Sequence, residues 1–329
     1  MISNSTPGSS SGSVVAQIEV GSLAQLDGIR YDLDADGSST NSTAYDAAFP
    51  KAATGMGCPS AGCTDYELSA NLDFDTNGNG EADAGDDYWN NGAGWEPIGT
   101  FWATFEGNSH VISGLYIDRS RGAVGLFGRV QGGEIRNLGL EGMAVKGGDS
   151  TTGGLIGSTS SRGSHDSLIS ASYVTGFVSG GTWVGGLVGD NWASIKASYV
   201  AVSVSGDSQV GGLVGTNSRV FRVNEGDILT GSISASYATG SVTAGRGFGG
   251  GLVGGNGGAI TASYATSSLS GSFVGGLVGE DRGGVVSTSY WDTQTSGLST
   301  SAGGEGKTTS ELQSPTSNTG IYATWDDDV

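Results

Sequence analysis

The sequence has 329 residues, of which 62 are Gly and only 5 are Pro, and its formal net charge is −19 at pH 7. The glycines lack the strict triplet period of collagen, and 36% hydrophobic residues is too many for a disordered chain. The negative charge argues against nucleic acid or anionic membranes as partners, because both attract basic patches. No apolar run approaches the roughly 18 residues of a membrane span. We therefore expect a soluble chain without membrane insertion, whose export signal is removed or lies outside this sequence.

The acidic residues are concentrated in the first third of the chain. Residues 1–120 carry 17 acidic and 3 basic side chains, whereas residues 121–300 carry 11 acidic and 10 basic side chains. Any cation site is therefore expected in the first third. Residues 1–13, which read MISNSTPGSSSGS, have the composition of a flexible arm.

The segment DLDADG at 32–37 begins like the calcium loop of an EF-hand. Asp32, Asp34 and Asp36 alternate along it, as oxygen ligands around a hard cation do. The twelfth loop position is Thr43, so the ligand set is incomplete unless Asp46 closes it. A second calcium ion and an ordinary solvated loop both remain open here.

Two cysteines follow, Cys58 and Cys63, in the sequence GCPSAGC. They lack the further ligands of a zinc site and the two-residue spacing of a thioredoxin-like motif. The pair predicts a disulfide that closes a small surface loop, which stabilises the fold by roughly 2 kcal/mol. A disulfide in turn indicates an oxidising, extracytoplasmic compartment.

The segment DTNGNGEADAGD at 75–86, named here the acidic loop, fits the calcium-loop pattern better. Asp75, Asn77 and Asn79 take positions one, three and five, and Gly80 supplies the turn. The twelfth position is an Asp where the EF-hand has Glu. The candidate calcium ligands are Asp75, Asn77, Asn79, Glu81, Asp83 and Asp86. The expected role of Ca²⁺ is structural, and the alternative is a solvated acidic loop.

From residue 124 onward two short motifs recur. GGLVG or a close variant stands at 124–128, 153–157, 185–189, 211–215, 250–254 and 275–279. ISASY or a close variant stands at 169–173, 195–199, 233–237, 260–264 and 286–290. The base repeat is about 25–26 residues, and extra loops at about 158–168 and 216–231 account for the irregular spacing.

Each repeat contains three short stretches of period-two alternation, which predicts three strands. Three strands in 25 residues predict one coil of a parallel β-solenoid, with equivalent side chains stacked about 4.8 Å apart in the next coil. We expect an internal Ile column, an Ala column on the same face, and a stacked Tyr column beside serines that face outward. The Ile column comprises Ile169, Ile195, Ile233 and Ile260, the Ala column Ala171, Ala197, Ala235 and Ala262, and the outward serines Ser170, Ser172, Ser198, Ser236 and Ser263.

These repeats resemble the GLUG-motif family of large bacterial surface and secreted proteins, with GGLVGDNWASIKASYVAVSVSG as one matching segment. The resemblance implies a right-handed parallel β-helix, and it implies little about activity. The expected organisation is a flexible arm at 1–13, an N-terminal cap at 14–122, repeats at 123–290 and a C-terminal cap at 291–329. Such caps would protect the strand edges at both ends, and self-association through these ends remains open.

Residues that depart from the repeat are the candidates for ligand binding. Trp183, Trp192, Phe221 and Arg222 lie in or near the corners from which the extra loops emerge. Their aromatic rings could stack on sugars, and the alternative is partial burial under the loops. The chain has only two histidines, His110 and His165, and no HExxH zinc motif.

The sequence therefore predicts a non-enzymatic, calcium-stabilised module of an exported bacterial surface or secreted protein, with an adhesive or structural role and an extracellular glycan as partner. The first alternative is a glycan-active lyase or hydrolase on a β-helix, which would need two carboxylates within about 5–10 Å in a groove. The second alternative is an ice-binding face formed by the outward hydroxyl columns.

Overall fold

The computed structural model describes residues 17–32, 65–161, 166–221 and 228–313. Within these residues the chain winds into a parallel β-helix, in which three sheets run along the molecule and successive coils add strands to each. Strands pair with their equivalents in the next coil, as the repeats predicted. No helix in the described ranges is long and apolar enough to cross a membrane.

The strands are grouped by sheet. Sheet A contains β1 (Gln17–Val20), β2 (Asp65–Leu68), β5 (Thr104–Glu106), β9 (Glu134–Arg136), β13 (Leu168–Ser170), β17 (Ser194–Lys196), β23 (Ser232–Ser234), β26 (Ala259–Thr261) and β29 (Val285–Ser287). Sheet B contains β3 (Leu72–Asp73), β6 (Val111–Ser113), β7 (Tyr116–Arg119), β10 (Gly139–Gly147), β11 (Thr151–Gly153), β14 (Tyr173–Ser179), β15 (Trp183–Gly185), β18 (Tyr199–Gly206), β19 (Gln209–Gly211), β24 (Tyr237–Gly250), β27 (Tyr264–Gly275), β30 (Tyr290–Asp292) and β31 (Glu305–Lys307). Sheet C contains β4 (Ile98–Phe101), β8 (Phe127–Gln131), β12 (Ile156–Ser160), β16 (Val188–Asn191), β20 (Val214–Asn217), β25 (Val253–Asn256) and β28 (Val278–Asp281).

The remaining elements are short. An antiparallel hairpin of β21 (Arg219–Phe221) and β22 (Ile228–Thr230) projects from the second extra loop. The α-helices are α1 (Leu23–Gly28), α2 (Thr293–Ser296) and α3 (Thr309–Leu312). Two 3₁₀ turns span Ile29–Tyr31 and Asn90–Gly92.

The core of the helix is a set of apolar columns. The Ile column forms as predicted, and its members pair in register with no exposed surface. The column also continues into the first third of the chain. There Ile135 pairs in register with Phe105 of the preceding coil, and the column goes on through Tyr66 to Ile18. The sheets thus run without a break across residue 122. The described part of residues 17–122 is itself coiled.

The tyrosines that end the ISASY motif also stack as predicted. Tyr173, Tyr199, Tyr237 and Tyr264 pair in register on the outer face of sheet B. Their ring centroids are 5.0, 4.8 and 4.9 Å apart and their planes lie within 7° of parallel. Each such pair adds about 0.5–1.5 kcal/mol beyond the burial of its area.

At this corner the predicted inward orientation of the alanines was wrong, and so was the predicted outward orientation of four serines, although Ser170 is partly exposed. The four buried serines are Ser172, Ser198, Ser236 and Ser263. Ala197 is exposed, and Ser198 is only 1% exposed. The reason is backbone geometry: Ala197 adopts the left-handed conformation with φ of 49°, so the alternation is interrupted and the next side chain turns inward. Equivalent positive φ values occur at Ala171, Ala235 and Ala262.

The buried serines form a hydrogen-bonded ladder instead. Ser198 Oγ donates to Lys196 O at 2.9 Å and accepts from Ser172 N at 3.3 Å. The same two bonds repeat at Ser236 and Ser263. A hydroxyl is needed here because it can donate and accept at once, which satisfies two buried backbone groups at each corner.

A second polar ladder follows the glycine motif. Asn191, Asn217 and Asn256 occupy equivalent positions at the ends of their sheet C strands and are at most 1% exposed. Asn191 Nδ2 donates to Asn217 Oδ1 at 2.9 Å, and Asn217 Nδ2 donates to Asn256 Oδ1 at 2.9 Å. Asp281 replaces asparagine at the next rung, and its Oδ1 accepts from the backbone N–H of Gly283 at 2.9 Å.

The glycines of GGLVG are required by close approach between backbones. A Cβ added to Gly211 would lie 1.9 Å from Val214 O, and one added to Gly212 would lie 2.1 Å from Gly251 O in the next coil. Neither glycine has a positive φ. The motif therefore lets adjacent coils touch, while the left-handed corners are made by alanine.

The C-terminal end of the stack is covered by β30 and the residues that follow it. Trp291 is 5% exposed and lies against Gly276, where an added Cβ would be 2.0 Å from its ring. Ser301 Oγ accepts from Leu277 N at 3.1 Å and from Val278 N at 2.9 Å. These bonds satisfy strand-edge N–H groups that would otherwise be open to pairing with another chain.

Candidate functional site

The acidic loop joins β3 to the region before β4 and lies on the surface beside sheet B. Its carboxylates are occupied by N–H donors from the loop itself. Asp75 accepts from Asn79 N at 3.0 Å and from Gly80 N at 2.7 Å, and Asp86 accepts from Thr76 N at 2.9 Å. The loop is thus held in a turn by its own side chains.

The side-chain amides of the loop face a carboxylate. Asn77 Nδ2 donates to Asp83 Oδ1 at 2.9 Å, and Asn79 Nδ2 donates to Asp83 Oδ2 at 2.7 Å. The backbone N–H of Gly85 and these amides lower the pKa of Asp83. Glu81 is exposed.

This arrangement fits a calcium ion only after rearrangement. In the described residues there is no group of three or more Asp, Glu, His or Cys side chains placed to hold a metal. The amides of Asn77 and Asn79 would have to rotate, so that their oxygens rather than their nitrogens faced the centre of the loop. The predicted oxygen ligands are therefore close in the chain but do not converge as they stand.

The acidic loop also borders a groove of about 540 Å³, which we name the acidic groove. Four carboxylates line it, and they come from the loop and from neighbouring coils of sheet B: Asp73, Asp75, Glu81 and Glu141. Glu141 accepts a hydrogen bond from the Tyr173 hydroxyl at 2.6 Å.

Several predicted site residues lie elsewhere or outside the described ranges. Asp32 is 2% exposed and ends the first described segment. Asp34, Asp36, Cys58 and Cys63 lie outside the described residues, as do Arg222 and His165. The second calcium loop and the disulfide therefore stay predictions.

Sheet C carries Asp190, the most deeply buried acid among the described residues of the repeats. Asp190 is 8% exposed; its Oδ1 accepts from Ser218 Oγ at 2.7 Å and its Oδ2 from Trp192 Nε1 at 2.8 Å. Burial raises the pKa of Asp190, while these two hydrogen bonds and the charges of Arg129 and Arg282 oppose the rise. The acid holds Trp192 in place at the corner.

The column of sheet C that contains Asp190 leads to a cavity. Thr216 follows Asp190, Gly255 follows Thr216, and Arg282 lies over Gly255. A cavity of about 220 Å³ opens here between Ser218, Arg219, Gly257 and Arg282. Arg282 is fixed by a 2.7 Å ion pair with Glu280. We name this region, from Asp190 to Arg282 with its flanking side chains, the sheet C cleft.

Two of the four predicted ligand contacts flank the sheet C cleft. Trp192 is half-buried over Asp190. Trp183 is also half-buried, and its Nε1 donates to Gln209 Oε1 at 2.7 Å, while Gln209 in turn borders Gly255. Phe221 ends strand β21 of the hairpin. The structure thus places Trp192 beside Asp190 and connects Trp183 to the same column through Gln209.

Sequence reasoning missed Ser218 and Arg282 in this cleft. Only the neighbouring acids gave a signal in the repeat alignment. Asp190 and Glu280 are charged, whereas Thr216 and Gly255, which lie between them in the same column, are not. A charged residue among small ones in an aligned column indicates a local departure from the repeat. Of the histidines, His110 is described, and its Nδ1 lies 3.0 Å from Asn71 Oδ1.

Comparison with known proteins supports the fold more than it supports a function. No protein-family model matches the sequence, so the GLUG resemblance stays a prediction. Over 131 residues the chain is 38% identical to halomucin of Haloquadratum walsbyi, a match that covers 38% of this chain and 1% of halomucin. The chain thus corresponds to a very small part of that protein.

Among solved structures, the chain is similar to a protein from Bacteroides ovatus that is provisionally named an immunoglobulin A1 protease. The TM-score is 0.58 at 23% identity, and the alignment covers 80% of this chain and 81% of the other. A second chain, named IgA1 protease, aligns with a TM-score of only 0.33 at 17% identity over 18% of its length. The first similarity shows a shared fold, and the second is too low to support any conclusion.

Proposed function

We propose that this chain is a non-enzymatic β-helix module of an extracellular surface or secreted protein, and that it binds glycan at the sheet C cleft. The observation that carries the binding role is the pair of half-buried tryptophans, Trp183 at the start of β15 and Trp192 just after β16, each fixed by a hydrogen bond from its Nε1. A fixed aromatic face loses little entropy when a sugar ring stacks on it. Asp190, Ser218 and Arg282 add polar groups for sugar hydroxyls beside it.

The extracellular location is supported by similarity rather than by chemistry in the described residues. A segment of 131 residues is 38% identical to a protein named halomucin. The predicted disulfide of Cys58 and Cys63 points to the same oxidising environment. Export of the full-length protein, measured by protease accessibility at the cell surface, checks this part of the proposal.

A hydrolytic role for the sheet C cleft is disfavoured by the spacing of its acids. Asp190 and Glu280 lie three rungs apart in the same column. Three rungs correspond to about 14 Å, which exceeds the roughly 5–10 Å between the two carboxyl groups of glycosidases. Both oxygens of Asp190 also accept hydrogen bonds from the protein.

Glycan binding is tested with a Trp183→Ala variant on an array of neutral and acidic oligosaccharides. We expect affinity for the bound glycans to fall at least tenfold. Phe273→Ala is the control, because Phe273 is an aromatic residue that is 56% exposed on sheet B. Equal affinity of wild type and Trp183→Ala, or equal losses in both variants, would contradict a specific role for the cleft.

We also propose that Ca²⁺ orders the acidic loop, with Asp75, Asn77, Asn79, Asp83 and Asp86 as ligands. Extracellular calcium modules bind with Kd of roughly 10⁻⁴–10⁻³ M. At about 10 mM Ca²⁺ such a site stabilises the folded state by about 1.4–2.7 kcal/mol. The unfolding temperature should then fall by about 2–4 °C in EDTA.

The calcium experiment compares Asp75→Asn with Asp149→Asn, an acidic residue on the surface outside the loop. Asp75→Asn should abolish the difference between calcium and EDTA, whereas Asp149→Asn should keep it. An unfolding temperature of the wild type that is identical in calcium and in EDTA would contradict the calcium proposal.

A glycan-active enzyme is the second candidate, and the acidic groove is the observation that favours it. Four carboxylates line one groove of about 540 Å³, which is large enough for a sugar unit. Release of reducing ends from polysaccharides, lost in Glu141→Gln and kept in Glu134→Gln, would establish this reading. The predicted ice-binding face has less support, because the structure buries four of its hydroxyls, those of Ser172, Ser198, Ser236 and Ser263.

A further inference from the structure

A third surface feature lies at the end of sheet C formed by β4 and β8. It is a shallow pocket of about 350 Å³, lined by Arg119, Arg121 and Arg129 together with Glu96, and we name it the arginine pocket. Three arginines and one glutamate give it a formal charge of +2. The whole chain has a net charge of −19 and only 14 basic residues, so this local excess of positive charge is unusual for the molecule.

Among the described residues, two of the three arginines are not neutralised by a direct contact, and the charge of Arg129 acts on Asp190, two rungs away in the same column. Arg121 and Arg129 are exposed, and neither makes an ion pair or a side-chain hydrogen bond within the described part of the chain. Two other arginines are neutralised: Arg136 pairs with Glu106 at 2.7 Å, and Arg282 pairs with Glu280 at 2.7 Å. The pocket therefore keeps guanidinium groups available for a ligand.

The third arginine is fixed in place. Arg119 is half-buried, and its Nε donates to Trp95 O at 2.8 Å while its Nη2 donates to Gly94 O at 3.0 Å. These bonds orient the planar guanidinium, which has five N–H donors, and leave other donors for the pocket. An oriented guanidinium loses less entropy when it forms bidentate hydrogen bonds to a carboxylate or sulfate.

We propose that the arginine pocket binds the carboxylate or sulfate group of an acidic glycan. This inference rests on the proposed glycan-binding function and names its ligand class. The total charge of the protein narrows the choice of anion. A chain with a net charge of −19 repels a polymer as densely charged as a nucleic acid, whereas a glycan with one anionic group per sugar unit can place a single charge in a +2 pocket.

The remaining lining suits a sugar ring. Thr100 contributes a hydroxyl group, and it pairs in register with Arg129 across neighbouring coils. Gly128 forms part of the wall, where the backbone carries no side chain. The anionic group would bind Arg119, and Arg121 and Arg129 would reach the same group or its neighbour along the glycan.

The test measures binding of three probes by isothermal titration calorimetry: oligogalacturonate, a sulfated galactan oligosaccharide and neutral galactan of the same length. We expect the wild type to bind at least one acidic probe more tightly than the neutral one. The double variant Arg121→Gln/Arg129→Gln should weaken that binding at least tenfold. Because both side chains are exposed, its urea midpoint should match that of the wild type.

Arg246→Gln is the control for general electrostatics, since Arg246 is exposed on β24 and lies outside the pocket. It should change the affinity less than twofold. Preference for the uronate or for the sulfated probe identifies the anionic group. Binding of neutral galactan alone would overturn the arginine-pocket proposal and leave the proposed function standing. Failure to bind any glycan on the array would instead overturn the proposed function. Equal losses of affinity in Arg121→Gln/Arg129→Gln and in Arg246→Gln would overturn the proposal that the arginine pocket is the specific binding site.

Discussion

Asn217→Ala tests whether the asparagine ladder stabilises the helix. The substitution removes the acceptor of Asn191 Nδ2, which still has Ala193 O at 3.0 Å, so this loss costs about 1 kcal/mol. It also leaves Asn256 Oδ1 buried without the donor at 2.9 Å, which costs about 1–3 kcal/mol. We therefore expect the free energy of unfolding to fall by about 2–4 kcal/mol.

The assay is urea unfolding followed by far-ultraviolet circular dichroism at constant pH. A lower midpoint with an unchanged slope indicates a change in stability alone. Ser203→Ala is the surface control, because Ser203 is exposed on β18, and it should change stability by less than about 0.5 kcal/mol. A shallower slope in Asn217→Ala would show that the coils no longer unfold together.

A double-mutant cycle with Asn256→Ala isolates the bond between the two rungs. Once Asn256 is alanine, the Asn217→Ala substitution leaves no buried acceptor without a donor. The loss in free energy of unfolding caused by Asn217→Ala should therefore be smaller by at least about 1 kcal/mol. Additive costs for Asn217→Ala and Asn256→Ala, or a cost for Asn217→Ala no larger than that of Ser203→Ala, would refute the ladder as a source of stability.

Two further predictions concern the corner after sheet A and the tyrosine stack. Ala197→Val should destabilise the protein by more than about 1 kcal/mol, because a β-branched residue is strained at a φ of 49°; Ala201→Val, at an exposed strand position, should be neutral in the same urea assay. Burial, followed by the hydrogen bond to Glu141, raises the pKa of Tyr173 from 10.0 to about 12. The resulting stabilisation is present below about pH 10 and is lost as the pH rises towards 12. Tyr173→Phe should therefore lose less stability than the wild type between about pH 9 and pH 11.5, and an equal loss would contradict this assignment.

The sequence was sufficient to predict the fold because its information is repeated. Each column is specified several times over, so the Ile and Tyr registers could be read from spacing alone. The inward turn of Ser198 could not be read in this way. It depends on the left-handed backbone of Ala197, a conformation that alanine rarely adopts and that period-two alternation does not encode.

The candidate sites were predictable to a smaller extent, for a related reason. Trp183 and Trp192 were recognised as departures from the repeat, and the structure links each of them to the column of sheet C that contains Asp190. Their polar neighbours were not recognised, because Ser218 belongs to an extra loop with no equivalent in other coils. The arginine pocket was also missed, since Arg119 and Arg129 are brought together by coils in the segment expected to be a cap and in the repeats.

The spacing of the tyrosine stack bears on what such a module can contribute to a larger protein. One coil, from Tyr173 to its partner Tyr199, uses 26 residues to advance by one ring spacing of 5.0 Å. The same 26 residues fully extended would span about 86 Å. A chain built to project a binding domain far from a surface would gain little length from this architecture. What each added coil provides is another rigid strip of outward-facing side chains, so selection for more coils would act on the number of presented contacts rather than on distance.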